Sequence, residues 1–210
     1  MKNLMKKPTF ILIAIAIVLA ATAARAEAPA PIQAVAKVDL NRYVGKWFEI
    51  ALLPNRFQAM CVADTTADYA SLSDGNIQVI NRCRNAEGKI EEAIGVATND
   101  RGDTSNAKLK VRFAPWWLGF LPQVWGDYWV IELDADYRYS VVSEPGRKIL
   151  WILSRTPTMN DVVYQDIVMR LQAKGYDTVR LSRTPQSGGK SAATNTNASS
   201  AVPPPSKPSP

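Results

Sequence analysis

From Lys46 to Arg155 apolar and polar positions alternate in short runs separated by turn residues, the two-residue period of strands that turn unlike faces to a core and to water. In Lys108-Leu109-Lys110-Val111-Arg112-Phe113 the apolar side chains share one face and the cations the other, and Trp151, Leu153 and Arg155 share a face in the same way. Eight runs are read, approximately Lys46–Leu53, Val62–Leu72, Ile77–Arg84, Lys89–Thr98, Ala107–Ala114, Trp125–Leu133, Arg138–Ser143 and Ile149–Ser154. Asp74-Gly75 carries a hairpin signal, and Asn99–Asp103, Asp134–Tyr137 and Glu144–Arg147 supply further turns. No crossover-helix pattern intervenes, so successive strands pair antiparallel, and eight in series can close into a barrel without exposed edges.

The period changes after Pro157. Val163, Ile167 and Leu171 fall at i, i+4 and i+8 with Tyr164 and Val168 beside them, Thr158 or Asn160 stands at the cap, and Gly175 takes the position after the end. One apolar stripe predicts an α-helix packed outside the barrel, and Tyr176–Leu181 reads as a final short strand. The expected fold class is all-β: an eight-stranded antiparallel up-and-down barrel with one C-terminal helix outside it. An interior of that size holds packed side chains or one small ligand.

The two ends have a different character. Lys2, Lys6 and Lys7, an apolar run from Phe10 to Ala21 and Ala24-Arg25-Ala26 match a signal peptide over residues 1–26 with cleavage after Ala26. No cysteine follows the apolar run, so the expectation is a chain released to the periplasm without a lipid anchor, with peripheral contact at the outer membrane as a further option. Residues 27–38, with Ala28-Pro29-Ala30-Pro31, read as a linker, 39–184 as the folded domain, and 185–210 as a disordered Ser/Pro-rich tail.

Charge then loses its first meaning. The chain carries 25 Lys and Arg against 19 Asp and Glu, a formal +6. Six of the cations lie in residues 1–26 and 185–210, which hold no acid, leaving 19 basic against 19 acidic groups between them. The folded part is neutral, and no nucleic-acid partner is expected. The complete lack of histidine removes Ser-His, Cys-His and His-metal chemistry, and two cysteines cannot make a four-thiolate site. Neither a catalytic constellation, a metal site nor a cofactor is expected. For an exported chain, Cys61 and Cys83 read as a disulfide closing a loop of about 22 residues, worth on the order of 3 kcal/mol; two buried free thiols are the alternative.

Three separated motifs now carry a resemblance: Arg42-Tyr43-Val44-Gly45-Lys46-Trp47-Phe48-Glu49-Ile50-Ala51, Asp134-Ala135-Asp136-Tyr137-Arg138-Tyr139 and Leu150-Trp151-Ile152-Leu153-Ser154-Arg155-Thr156-Pro157. From about Asp39 to Leu181 the sequence resembles the lipocalin family, in particular its bacterial outer-membrane lipocalin and apolipoprotein D-like subgroup. Strand counting puts Trp47 and Arg155 at one end of the barrel, and the resemblance implies that they pack there, with Gly45, Asp136 and Tyr137 also assigned to barrel closure. Counting also puts Cys61, Cys83 and the loop Pro54–Met60 at the opposite, open rim.

The resemblance further implies binding, storage or transport of an amphipathic lipid, a lysophospholipid or fatty acid, in the bacterial envelope, by a monomer or homodimer. Alternation nominates Tyr128, Trp151, Phe113, Val111 and Tyr69 as cavity-lining residues, or equally as filled core. Glu49 shares the inward face of Trp47, either in a closed-end network or as contact for a cationic head group. The rim loop Ala114–Pro122 contains Trp116, Trp117 and Phe120 and no charge. Two readings of it stand: a cover over the mouth or a protomer contact, and a lip that touches membrane. Rival functions are an envelope interaction protein with a filled barrel, an enzyme acting on a bound lipid, and a haem binder ligated by Tyr, Met or Cys.

Overall fold

The computed structural model describes residues 29–188. The expected signal peptide and nearly all of the expected tail lie outside the described residues. Strands β1 (Gly45–Leu52), β2 (Ala63–Ser71), β3 (Ile77–Arg84), β4 (Ile90–Asn99), β5 (Lys108–Arg112), β6 (Gly126–Leu133), β7 (Tyr139–Ser143) and β8 (Leu150–Ser154) pair antiparallel in chain order, and β1 pairs with both β8 and β2. That double pairing closes the barrel. A one-turn helix α1 (Leu40–Tyr43) precedes β1, α2 (Asp161–Ala173) follows β8, and a ninth strand, β9 (Ser182–Arg183), joins β1.

Alternation produces two cores. Inward residues such as Trp47, Tyr69, Val79, Leu109, Tyr128 and Leu153 fill the barrel, while Ile50, Ala51, Ile131, Val141, Leu150 and Ile152 meet the helix residues Tyr164, Ile167 and Leu171 outside it. A bulge between Glu49 and Ala51 sends two successive residues outward, and the register then sets Leu52 opposite the inward Trp151.

Asn160 caps α2, its side chain accepting from Val162 N at 2.8 Å, and Gly175 ends it at φ +82°. The buried stripe is Tyr164, Ile167 and Leu171, not one built on Val163, which is 39% exposed. The segment expected as a strand, Tyr176–Leu181, instead buries Tyr176 against the helix core and makes a 3-10 turn at Thr178–Arg180 before β9.

Both margins of the domain are more structured than expected. Residues read as a linker run over the barrel, burying Ile32 in the core shared with the helix and Val38 in the inner core, with Val35 N donating to Val130 O and Val38 N to Ser105 O. Val38, with Val35 and Leu40 beside it, covers a base that would otherwise face water. Past residue 184, the Gln186 amide donates to both Glu49 O and Thr65 O at 2.9 Å, and Ser187 N donates to the Asp64 carboxylate. The β1–β2 ladder stops at Phe48–Thr66, and this segment fills the gap beyond it.

Candidate functional site

The closed end is built around Trp47, which is fully buried. Its indole N–H donates to Tyr43 O at 2.8 Å, and the Arg155 guanidinium lies over its ring, 3.8 Å from the centroid. Arg155 also donates to Lys46 O, Arg42 O and Tyr43 O, joining the last strand of the series to the α1–β1 corner. Partial burial lowers its pKa from the usual arginine range. Gly45 turns that corner at φ +95°, and a Cβ there would lie 3.5 Å from Arg155 Nη1. Tyr137 contributes from the β6–β7 turn: its hydroxyl accepts from Asp39 N, and Arg42 covers its ring. Asp136, expected in the closure, instead points outward, its side chain 76% exposed. Asp134 organises the turn, accepting from the backbone of Asp136 and Arg138 and from the Arg138 side chain, and Arg138 holds its pKa down at about 2.

Above this floor three phenols meet. Tyr128 Oη lies 2.8 Å from Tyr69 Oη and 3.1 Å from Tyr43 Oη, and Tyr43 Oη is 3.0 Å from Ser140 Oγ. Burial raises all three phenol pKa values, so they are neutral hydroxyls that satisfy one another. Tyr69 and Tyr128 were legible from alternation. Tyr43 was not, because it enters from α1 rather than from a strand.

At the mouth lies a second polar group. Trp151 Nε1 donates to Gln58 Oε1 at 2.5 Å, Gln58 Nε2 donates to Glu49 Oε2 at 2.7 Å, and Thr184 Oγ1 donates to Glu49 Oε1 at 2.5 Å. Glu49 is 3% exposed, and burial raises its pKa from the usual carboxylate value. It therefore belongs with the mouth loop and not with the closed-end network. Gln58 ends a 3-10 turn, Arg56–Gln58, capped by Asn55, and its loop is tethered by the Cys61–Cys83 disulfide, whose Cα atoms are 5.5 Å apart. Beside Glu49 a small cavity of about 70 Å³ reaches Leu52, Thr65 and Thr184.

The rim opens on the other side. Strand β4 pairs with β3 from Ile90 to Ala97, but with β5 only from Val96 to Asn99, so its first six residues stand past β5. An open groove of about 340 Å³ lies there, walled by Ile94, Gly95, Val96, Phe113 and Pro115 with Arg112. Phe113 is 41% exposed and flanks this groove, whereas Val111 packs against the inner core. A Cβ on Gly95 would fall 2.7 Å from Phe113 Cδ1, so glycine is what lets the ring lie on the strand. In the next loop Trp116 opens a 3-10 turn, Trp117 is 58% exposed and Phe120 78%. Those two rings do not fold over the mouth as a cover. Phe57 and Met60 on the first loop are also exposed at this rim.

A closed up-and-down barrel with a pinned base, an aromatic interior and a tethered loop at its mouth defines a cup of the kind that takes small hydrophobic ligands. Residues 38–186 match the family described as a lipocalin-like domain. The chain belongs to the lipocalin family, which binds small hydrophobic ligands and whose members are generally binding or transport proteins. It is 40% identical to temperature-induced lipocalin-1 of Arabidopsis thaliana over 157 residues, covering 74% of this chain and 83% of that one. It is 37% identical to the outer membrane lipoprotein Blc of Escherichia coli (strain K12) over 158 residues, covering 75% and 84%. Among solved structures, insecticyanin from the tobacco hornworm Manduca sexta superposes with a TM-score of 0.57 at 20% identity, covering 75% of this chain and 85% of that one, a likeness of fold.

Proposed function

We propose that this protein binds and carries a single-chain amphipathic lipid, a lysophospholipid or fatty acid, in the bacterial envelope. The carrying observation is the polarity of the mouth. Glu49, Gln58, Thr184 and the Trp151 indole N–H place hydrogen-bonding groups at the top of an interior lined by Leu52, Val111 and Leu153. Such a gradient matches a polar head over an alkyl chain, and about 0.8 kcal/mol per buried methylene supports micromolar binding with few polar contacts. Entry requires Gln58 to release Glu49 and Trp151. Glu49, buried without a cationic partner among the described residues, suits the positive part of a zwitterionic head.

Export through the signal-like opening, and the Blc outer membrane lipoproteins among the relatives, support an envelope location. Cys61 and Cys83 sit in the disulfide, which leaves neither of them free for a thioether-linked lipid, and the reading is of a periplasmic location. Exposed Trp117, Phe120, Phe57 and Met60 would meet the membrane surface at the rim. The tyrosine cluster that packs the lower barrel favours a second reading, a filled barrel used for docking. Native mass spectrometry of protein isolated from its own envelope separates the two. Stoichiometric single-chain lipid is expected; lipid-free protein that also fails to bind added lysophospholipid saturably would discard the carrier.

A further inference from the structure

We propose that the groove between β4 and the end of β5 is a head-group site for an anionic single-chain amphiphile, with Arg112 taking a phosphomonoester or carboxylate. The inference deepens the carrier reading and rests on it. Three observations converge on Arg112. Its Nε is shut away from water with no hydrogen-bond partner, while Nη1 donates to Ala114 O at 2.5 Å and the guanidinium stands 5.2 Å from the Trp125 ring centroid. It has no carboxylate partner among the described residues: the groove lining contains no acid, and nearby Asp127 is held by Lys110 at 2.6 Å. Everything else in the lining is apolar or backbone, and the volume, about 340 Å³, is in the range of small-ligand sites.

A guanidinium with an unused N–H on an apolar wall is complementary to a ligand that is anionic at one end and alkyl at the other. With Nη1 on Ala114 O and Nε sealed from water, Nη2 is the guanidinium nitrogen left to meet a phosphate or carboxylate oxygen, and partial withdrawal from water strengthens that contact. The alkyl chain gains the open face of the Phe113 ring, whose other face lies on Gly95, and the exposed Ile94 side chain beside it. Val111, two residues before Phe113 on the same face, continues that path inward. This site is separate from Glu49, so the two ends of the mouth sort opposite charges.

The test compares dodecyl phosphate, laurate, uncharged monolauroylglycerol and inorganic phosphate by calorimetry, on the wild type, Arg112→Gln and Arg112→Lys. The expected result is that Arg112→Gln loses about tenfold in affinity for dodecyl phosphate and laurate. Monolauroylglycerol should stay within about twofold, and Arg112→Lys should recover part of the loss by charge alone. Wild-type affinity for dodecyl phosphate should also fall with added salt while that for monolauroylglycerol does not, a readout independent of how the variants fold. Equal binding of dodecyl phosphate by wild type and Arg112→Gln, or affinity that ignores salt, overturns the proposal and leaves the carrier reading standing. Inorganic phosphate binding as tightly as dodecyl phosphate also overturns it, since the chain then adds nothing. Failure of all three amphiphiles to bind the wild type removes the carrier reading itself, and this site with it.

Discussion

Arg155 stacks on Trp47 at 3.8 Å and at the same time donates to three main-chain carbonyls of the α1–β1 corner, so one guanidinium both covers the indole and ties the last strand of the series to the first. A cation–π contact and hydrogen bonds from a charged donor act on the same side chain. Arg155→Ala should lower unfolding free energy by about 2 to 3 kcal/mol, discounted because the guanidinium keeps one side to water. Arg155→Lys should lose about half as much, retaining charge without the fork. Urea midpoints at constant slope measure both, and an unchanged midpoint for Arg155→Ala would remove the clasp.

Glu49 makes stability depend on pH. Burial raises its pKa in the folded chain, so the folded state keeps the proton where the unfolded state has released it. This contribution is greatest below the unfolded carboxylate value and is lost as pH rises through the folded one. Glu49→Gln can accept from Gln58 and donate to Thr184, keeping the network without the charge. The variant should match or exceed wild-type stability at pH 8 and flatten the slope between pH 4.5 and 8, as read from urea titrations across that range.

Tyr128 is the hub of the phenol cluster, because the Tyr69 hydroxyl has it as hydrogen-bond partner while Tyr43 also has Ser140. Tyr128→Phe strands the Tyr69 hydroxyl and should cost about 1 to 2 kcal/mol, more than Tyr69→Phe, which strands none. Thermal denaturation ranks the two. In alkaline absorbance titration the three phenols should ionise only as the fold is lost, in keeping with their raised values.

At the rim, Trp117 and Phe120 are exposed apolar rings on one loop. Replacing both by serine should weaken sedimentation with phospholipid vesicles about tenfold or more and leave the melting temperature within a degree or two. Unaltered vesicle binding by a folded double variant would assign the loop to a protein partner.

Much of this architecture was legible because alternation is a local signal. Ile77–Arg84 was read at its observed bounds and the other strands within a residue or two, since each turns one face to a core. The parity that turned Glu49 inward was legible too. Its partners were not, because Gln58 reaches it from a 3-10 turn and Thr184 from 135 residues along the chain, and neither position has a period to betray it. The helix was found but its stripe displaced by one residue, Val163 for Tyr164, because a phenol near the edge of an apolar face counts for less in a hydrophobic pattern than a valine. Ile32 and Val38 were hidden among alanines and prolines, where composition speaks for a linker and only the fold supplies the surface they cover.

The segment that fills the gap between β1 and β2 sets an order of events. Gln186 meets Glu49 across 137 residues, so the seam of the barrel is sewn only after all eight strands have been made. Until those residues arrive the mouth has an open side, and the Glu49 carboxylate still faces water there. Completion of the cup thus waits on residues 184–187: a chain cut before Thr184 would keep its base and its eight strands and lack a sealed wall.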